Sequence, residues 1–139
     1  MTDDPTPDAT SPDAEPRRPR RSWSAKFATA FRGLKLGVRG HSSFSVHFFV
    51  AAGVLAAATV LQCDRSEWCI LIACIGGVLT TELLNSAVET LFRGLDYETR
   101  ERAWHALDIS AGAVLLASTT ASLIGLIIFL PRLIGCLSR

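Results

Sequence analysis

The chain has 139 residues, enough for one domain, and its formal net charge is only +1 at pH 7. Hydrophobic residues make up 49% of it, and beyond residue 44 the charged residues gather largely in two short clusters between long apolar segments. A water-soluble domain of this size would alternate polar and apolar residues throughout. The distribution therefore excludes a soluble domain and predicts an all-α integral membrane protein.

The N-terminal segment, residues 1–22, holds five of the six prolines and the arginines Arg17, Arg18, Arg20 and Arg21. Such a segment cannot bury enough apolar surface to offset the entropy of ordering, so we predict a disordered cytoplasmic tail. Basic runs beside a membrane span more often set orientation or contact lipid headgroups than bind nucleic acid. No aromatic residues interleave with these arginines, and we expect no nucleic-acid partner.

The next segment, residues 23–39, has apolar residues at spacings of three and four, including Trp23, Phe27, Phe31 and Leu34, while lysine and arginine occupy much of the remaining surface. This pattern predicts a basic amphipathic helix that lies in the plane of the membrane interface. A core helix of a soluble bundle is the disfavoured alternative, because the segments that follow are too apolar for such a bundle.

Three apolar segments predict membrane spans at about residues 46–61, 68–92 and 109–130. A tight polar loop, residues 62–67, separates the first two spans, and the charged segment 93–105 separates the second from the third. The domain formed by residues 23–139 is therefore expected to be a bundle of three transmembrane helices plus the interfacial helix.

The third span carries no charge and is predicted to end at Pro131 and Arg132. Eight lysines and arginines precede the first span and three lie between the second and third, whereas the loop between the first two contains only Arg65. The positive-inside rule then places the N-terminus in the cytoplasm and the C-terminus outside, across the inner (plasma) membrane.

Polar residues inside the second span follow a helical spacing, since Glu82, Asn85 and Glu89 are three and four residues apart and share one helix face. An ionisable group at bilayer depth costs at least ~2.5 kcal/mol, so this stripe needs an explanation. One alternative is an interhelical hydrogen-bond seam, and Glu89 alone can be level with the headgroups. Glu82 lies ~10 Å deeper along the axis among apolar neighbours, which favours a functional role.

Asp108 opens the third span, where by itself it would be interpreted as a helix N-cap. The predicted topology, however, brings it to the same membrane edge as Glu89, so three carboxylates and an amide can converge there. Such a cluster suits phosphoryl transfer from ATP to a lipid hydroxyl, which needs carboxylates for Mg²⁺, cations for phosphates and a base. A proton or ion pathway is a weaker alternative, because the first and third spans continue no chain of polar residues.

The run ELLNSAVE, from Glu82 to Glu89, resembles the E-[IL]-x-N-[ST]-A-[IV]-E signature of the prokaryotic diacylglycerol kinase family, which includes undecaprenol kinases. Ala106-Leu107-Asp108 and residues 111–115 are similar to that family's A-K-D-x-x-A-A-A-V-L segment, and residues 31–35 and Phe44 also fit. The resemblance extends over residues 24 to 132.

This resemblance implies a trimeric helical bundle with active sites shared between subunits, which uses MgATP to phosphorylate a membrane lipid. Glu82 is similar to the family's catalytic base and Glu89 to a magnesium ligand. Asn85 and Asp108 resemble active-site residues near the nucleotide. The expected acceptor is diacylglycerol, which gives phosphatidic acid. Undecaprenol is the alternative, because both lipids present one primary hydroxyl at the interface.

Several positions depart from the family pattern. His41 stands where a second metal-binding glutamate is usual, and a neutral imidazole suits Mn²⁺ better than Mg²⁺. Leu107 replaces the lysine before Asp108, and Arg93 replaces an aspartate. We hypothesise that Arg93 restores the lost cation, and Lys35 is the other candidate for contacting the nucleotide phosphates. The alternative is a degenerate membrane scaffold without catalysis.

Aromatic rings at the predicted span boundaries have a simpler interpretation. His47 and His105 each lie at a membrane boundary, where amphipathic rings are common, and we assign them no role in the site. Trp23, Trp68 and Trp104 likewise fit an aromatic belt.

Overall fold

The computed structural model describes residues 22–39 and 43–138, and within these ranges every regular element is an α-helix. Four helices follow in chain order: α1 (Trp23–Arg39), α2 (Ser43–Val60), α3 (Arg65–Arg93) and α4 (Tyr97–Leu137). The predicted all-α fold is thus confirmed for the described part of the chain. The tail up to residue 21 and the candidate metal ligand His41 lie outside the described residues.

Three of the helices described, α2, α3 and α4, are long and apolar enough to cross a membrane. With a rise of 1.5 Å per residue, their 18, 29 and 41 residues extend about 27, 44 and 62 Å, whereas a hydrocarbon core is ~30 Å thick. Both α3 and α4 therefore reach well beyond the hydrocarbon. Large apolar side chains cover their surfaces and that of α2, as lipid contact requires: Phe49, Ile72, Leu84, Leu115, Leu116 and Ile127.

The helices also run further than the apolar segments from which they were predicted. α3 begins at Arg65, inside the predicted polar loop, because Asp64 caps it: the Asp64 carboxylate accepts a bond from the backbone N–H of Glu67, and the Glu67 carboxylate accepts one from that of Asp64. α4 continues to Leu137, through Pro131, although the sequence predicted that the span ends at Pro131 and Arg132. Apolar residues follow the proline, and a helix is the conformation that satisfies backbone polar groups in an apolar surrounding.

The start of α4 excludes the alternative that Asp108 caps the helix. The N-cap is Asp96, whose carboxylate accepts a hydrogen bond from the backbone N–H of Thr99. Asp108 lies about three turns inside the helix. Much of the charged segment between the second and third spans is therefore helical.

α3 packs along α4 more extensively than any other described pair of helices. At one end of this hairpin, the Arg100 guanidinium donates to the backbone carbonyls of Arg93 and Leu95, at 3.0 and 3.2 Å, and lies over the ring of Phe92. The Phe92 ring meets the Trp104 ring edge-on, with centroids 5.4 Å apart. Trp104 thus helps to close the hairpin.

At the other end, Arg132 connects α4 to the α2–α3 loop. Its Nε donates to Glu67 Oε1 at 3.0 Å, and its Nη1 donates to the carbonyls of Leu61 and Gln62, at 3.2 and 2.9 Å. The hairpin is therefore tied at both ends by an arginine.

α1 approaches α3 through Gly37, where a Cβ atom would meet the side chain of Leu83. Its large apolar residues are exposed in the part of the chain that the structure describes: Trp23, Phe27, Phe31, Leu34 and Leu36. An apolar surface of this kind agrees with a position in the membrane interface, which remains a prediction.

Candidate active site

The deepest carboxylate of the polar stripe is Glu82, which is only 2% exposed. The Ser43 hydroxyl donates to its Oε1, and His47 Nε2 lies 3.7 Å from its Oε2. Ser43 and His47 are four residues apart on α2, so one face of that helix supplies both neighbours. Because Ser43 is the first residue of α2, Glu82 lies level with the end of that span.

The same face of α3 continues with Asn85 and Glu89. Asn85 Nδ2 donates to Glu89 Oε1 at 3.2 Å, and Asn85 Oδ1 accepts from the Ser110 hydroxyl of α4 at 2.7 Å. Glu89 also pairs with Arg93 on the next turn, at 3.3 Å. Asn85 is 8% exposed, whereas the Glu89 side chain is 30% exposed. The stripe thus leads from a buried carboxylate through a fixed amide to a carboxylate at the surface.

Two of the predicted site residues lie apart from this cluster. Asp108 is exposed on α4 two residues before Ser110, which turns it about 160° around the helix from the residue that contacts Asn85. Lys35 is exposed on α1. Neither side chain forms a hydrogen bond or ion pair with residues 22–39 or 43–138. The structure therefore unites Glu82, Asn85, Glu89 and Arg93 within one chain, without Asp108 or Lys35.

Sequence reasoning missed the polar residues that α2 and α4 add to the stripe. His47 was assigned no role, yet it faces Glu82, and neither Ser43 nor Ser110 was singled out. The available signal was the spacing of four between Ser43 and His47 at the start of an apolar span. A further hydroxyl of α3, that of Ser86, is buried without a hydrogen-bond partner in the described ranges.

Metal binding by this chain would centre on Glu89. Within the residues described, no three His, Cys, Asp or Glu side chains come together in a way that could hold a metal ion. Mg²⁺ in phosphoryl-transfer sites commonly uses one or two carboxylates together with water and substrate phosphates. A single carboxylate at the surface, beside an amide and an arginine, fits that kind of site.

An apolar cavity of about 510 Å³ lies between α2, α3 and α4. His47 forms part of its wall and also faces Glu82, so the cavity and the buried carboxylate are contiguous. The other lining residues are mainly aliphatic or aromatic and include Val50, Val54, Leu71, Val78, Leu126 and Phe129. A space of this character accommodates a hydrocarbon chain.

The amino-acid sequence is similar to those of known proteins. Residues 28–129 match the family described as prokaryotic diacylglycerol kinase. An undecaprenol kinase of Bacillus subtilis is 35% identical over 107 residues, which cover 77% of this chain and 87% of that protein. A diacylglycerol kinase of Synechocystis sp. is 30% identical over 136 residues, covering 91% of this chain and 77% of that protein. No solved structure matches the chain. The chain therefore belongs to the prokaryotic diacylglycerol kinase family, whose named relatives are lipid kinases.

Proposed function

We propose that this protein transfers the γ-phosphoryl group of ATP to the primary hydroxyl of a membrane lipid, with diacylglycerol as the first candidate acceptor. The observation that supports this most directly is the buried carboxylate of Glu82, which adjoins an apolar cavity and shares a helix face with the surface carboxylate of Glu89. A lipid alcohol needs a base and a hydrocarbon site together, and this arrangement offers both.

In the proposed reaction, Glu82 accepts the proton of the lipid hydroxyl as its oxygen attacks the γ-phosphorus. The lipid O–H bond and the bond from the γ-phosphorus to ADP break, and a new O–P bond forms. A positioned base typically contributes about 10²–10⁴-fold to such a step. The burial of the Glu82 side chain, beside Ser43 and His47, keeps water away from the transferred proton.

Nucleotide binding is proposed at the Glu89 end of the stripe. Glu82 and Glu89 are seven residues apart on α3, a rise of about 10 Å, which leaves room for a phosphate group between the two carboxylates. Glu89 would hold Mg²⁺, which when bound neutralises charge on the phosphates; Mn²⁺ is the alternative ion. Asn85 orients the Glu89 carboxylate, and Arg93 and Lys35 are the cations proposed to meet the phosphates.

We also propose that the active site is completed by another copy of the chain, in a trimer. Asp108 supports this, because it is exposed and faces away from Asn85 and the carboxylates of its own chain. Mixing inactive Glu89→Gln and Asp108→Asn subunits tests it. Random assembly of equal amounts should restore about a quarter of wild-type activity if sites are shared, because each site then needs an intact Glu89 from one chain and an intact Asp108 from its neighbour. Sites confined to single chains would restore none.

The membrane orientation is proposed from the basic residues. Eight lysines and arginines precede α2 and three lie between Arg93 and Arg102, so the stripe would face the cytoplasm, where ATP is present. The C-terminus would lie outside the inner membrane, and α1 would lie in the cytoplasmic interface. Chemical labelling of cysteines introduced before α1 and after α4 checks on which side of the membrane each end lies.

Undecaprenol is the second candidate acceptor, favoured by the 35% identity to an undecaprenol kinase. The decisive assay supplies the purified protein in bilayers with radiolabelled ATP, Mg²⁺ or Mn²⁺, and one lipid at a time. We expect transfer to at least one lipid, and a loss of at least about 100-fold in Glu82→Gln. Glu101→Gln, at an exposed position of α4, is the matched control. Absence of transfer to both lipids with every metal would support the non-catalytic scaffold instead.

A further inference from the structure

Among the residues that the structure describes, a hydrogen bond reaches one oxygen of the Glu82 carboxylate. Ser43 donates to Oε1, and His47 Nε2 lies 3.7 Å from Oε2. The Glu82 and His47 side chains are 3% and 20% exposed. A buried carboxylate without enough donors is strongly disfavoured, so a second donor matters here more than it would at the surface.

Few of the described polar groups besides Glu82 can interact with the His47 imidazole. Besides His47, the polar residues that line the cavity are Cys74 of α3 and Ser118 and Ser122 of α4, and no charged side chain of the described residues lines it. Glu82 is the charged group that faces the imidazole among the described residues. The imidazole therefore stands between the carboxylate and the cavity.

The distance of 3.7 Å exceeds that of a hydrogen bond, so a small movement of the imidazole would bring its N–H into donating range of Oε2. Hydrogen bonds between catalytic groups are often long before substrate binds and shorten in the complex. Because His47 belongs to the cavity wall, a hydrocarbon chain that fills the cavity contacts the same imidazole. Occupation of the cavity and the orientation of the base are thus mechanically connected through one residue.

We propose that His47 is a positioning residue for Glu82, whose Nε2–H donates to Oε2 when a lipid chain occupies the cavity. Ser43 and His47 then hold one carboxylate oxygen each, and the ionised carboxylate keeps a lone pair directed at the lipid hydroxyl. This inference rests on the proposed function, because it assigns Glu82 the role of base. It adds that the lipid itself completes the orientation of the base.

Kinetics of two substitutions test the role of the donor. His47→Leu removes the donor and should lower kcat about 10–100-fold, as losses of supporting hydrogen bonds commonly do, with the KM for MgATP unchanged. His47→Gln retains an N–H at a similar reach and should recover most of that loss. His105→Leu, the same exchange at an exposed position, is the control and should have wild-type kcat. Size-exclusion and thermal unfolding in detergent verify that each variant folds.

A second measurement does not depend on catalysis. The ¹⁵N resonance of His47 Nε2, recorded in bilayers, should move when diacylglycerol is added, and should move less in Glu82→Gln. Wild-type kcat in His47→Leu, equal loss in the folded His47→Gln and His47→Leu variants, or an unchanged resonance on lipid addition would each overturn the inference. Absence of kinase activity with a lipid-dependent resonance would instead refute the proposed reaction while leaving the contact supported.

Discussion

Ser110 is predicted to act on metal binding without touching the metal, because its hydroxyl fixes the amide of Asn85. Its Oγ lies 2.7 Å from Asn85 Oδ1 and 2.8 Å from the backbone carbonyl of Leu107, so it can donate to either. With Oδ1 held by Ser110, the Asn85 amide presents Nδ2 to Glu89. In Ser110→Ala the Asn85 amide can adopt either of its two orientations. In the flipped one, its oxygen instead of its NH₂ group faces the Glu89 carboxylate.

The size of the effect follows from the burial of Asn85, which is 8% exposed. Leaving a buried acceptor without a donor costs about 1–3 kcal/mol, and replacing serine by alanine inside a helix returns about 0.5 kcal/mol. The remainder corresponds to about tenfold in an equilibrium constant, since 1.4 kcal/mol is a factor of ten. We therefore expect the Mg²⁺ concentration for half-maximal rate to rise about tenfold, while kcat at saturating Mg²⁺ falls less than about threefold.

The assay is the initial rate of lipid phosphorylation against Mg²⁺ concentration at fixed ATP. Ser110→Thr keeps a hydroxyl and should behave like wild type. Thr119→Ala deletes an exposed hydroxyl of α4 that bonds only within its own helix, and serves as the control. An unchanged Mg²⁺ dependence in a folded Ser110→Ala variant would show that the Asn85 amide does not rely on Ser110.

Three further substitutions probe the contact between α1 and α3, the cavity and the N-terminal cap of α3. Gly37→Val should lower the free energy of unfolding by about 1–2 kcal/mol, measured by thermal unfolding in detergent, because its side chain would overlap that of Leu83. Ala121→Phe, on the cavity wall, should raise the KM for the lipid severalfold without changing that for ATP; equal KM values would contradict a lipid chain in the cavity. The Ser66 hydroxyl and the backbone N–H of Glu67 hold the pKa of Asp64 below its usual value, so this capping carboxylate stabilises the fold above about pH 4 and loses that contribution as pH falls further. The Asp64→Asn variant should therefore lose less thermal stability than the wild type when the pH is lowered from 6 to 3.

The parts of the structure that sequence predicted depend on local pattern. The spans follow from runs of apolar residues, and the shared face of Glu82, Asn85 and Glu89 follows from helical periodicity alone. The ends of the helices were predicted less accurately, because hydropathy shows where apolar residues stop and not where backbone hydrogen bonding stops. The start of α3 after the Asp64 cap and the continuation of α4 past Pro131 are both set by backbone hydrogen bonding.

The partners of the stripe could not be predicted, because they depend on how helices slide past one another. A shift of one residue along α2 would turn Ser43 and His47 by about 100° and remove both from Glu82. The sequence contains no local signal for that register. Asp108 shows the same limit, because the order of the helices along the chain does not determine in which direction around α4 its side chain points.

The distribution of contacts explains why Glu82, the proposed base, is contacted from α2. Arg100 and Arg132 tie α3 to α4 at both ends, so this hairpin presents Glu82, Asn85 and Glu89 on a fixed helix. α2 contacts α4 much less, and the cavity lies along that weaker contact. We expect a lipid that enters there to displace α2 more easily than the hairpin, and α2 carries Ser43 and His47, which face Glu82. The stripe is thus the rigid half of the site, and we expect substrate binding to adjust the other half, Ser43 and His47, around it.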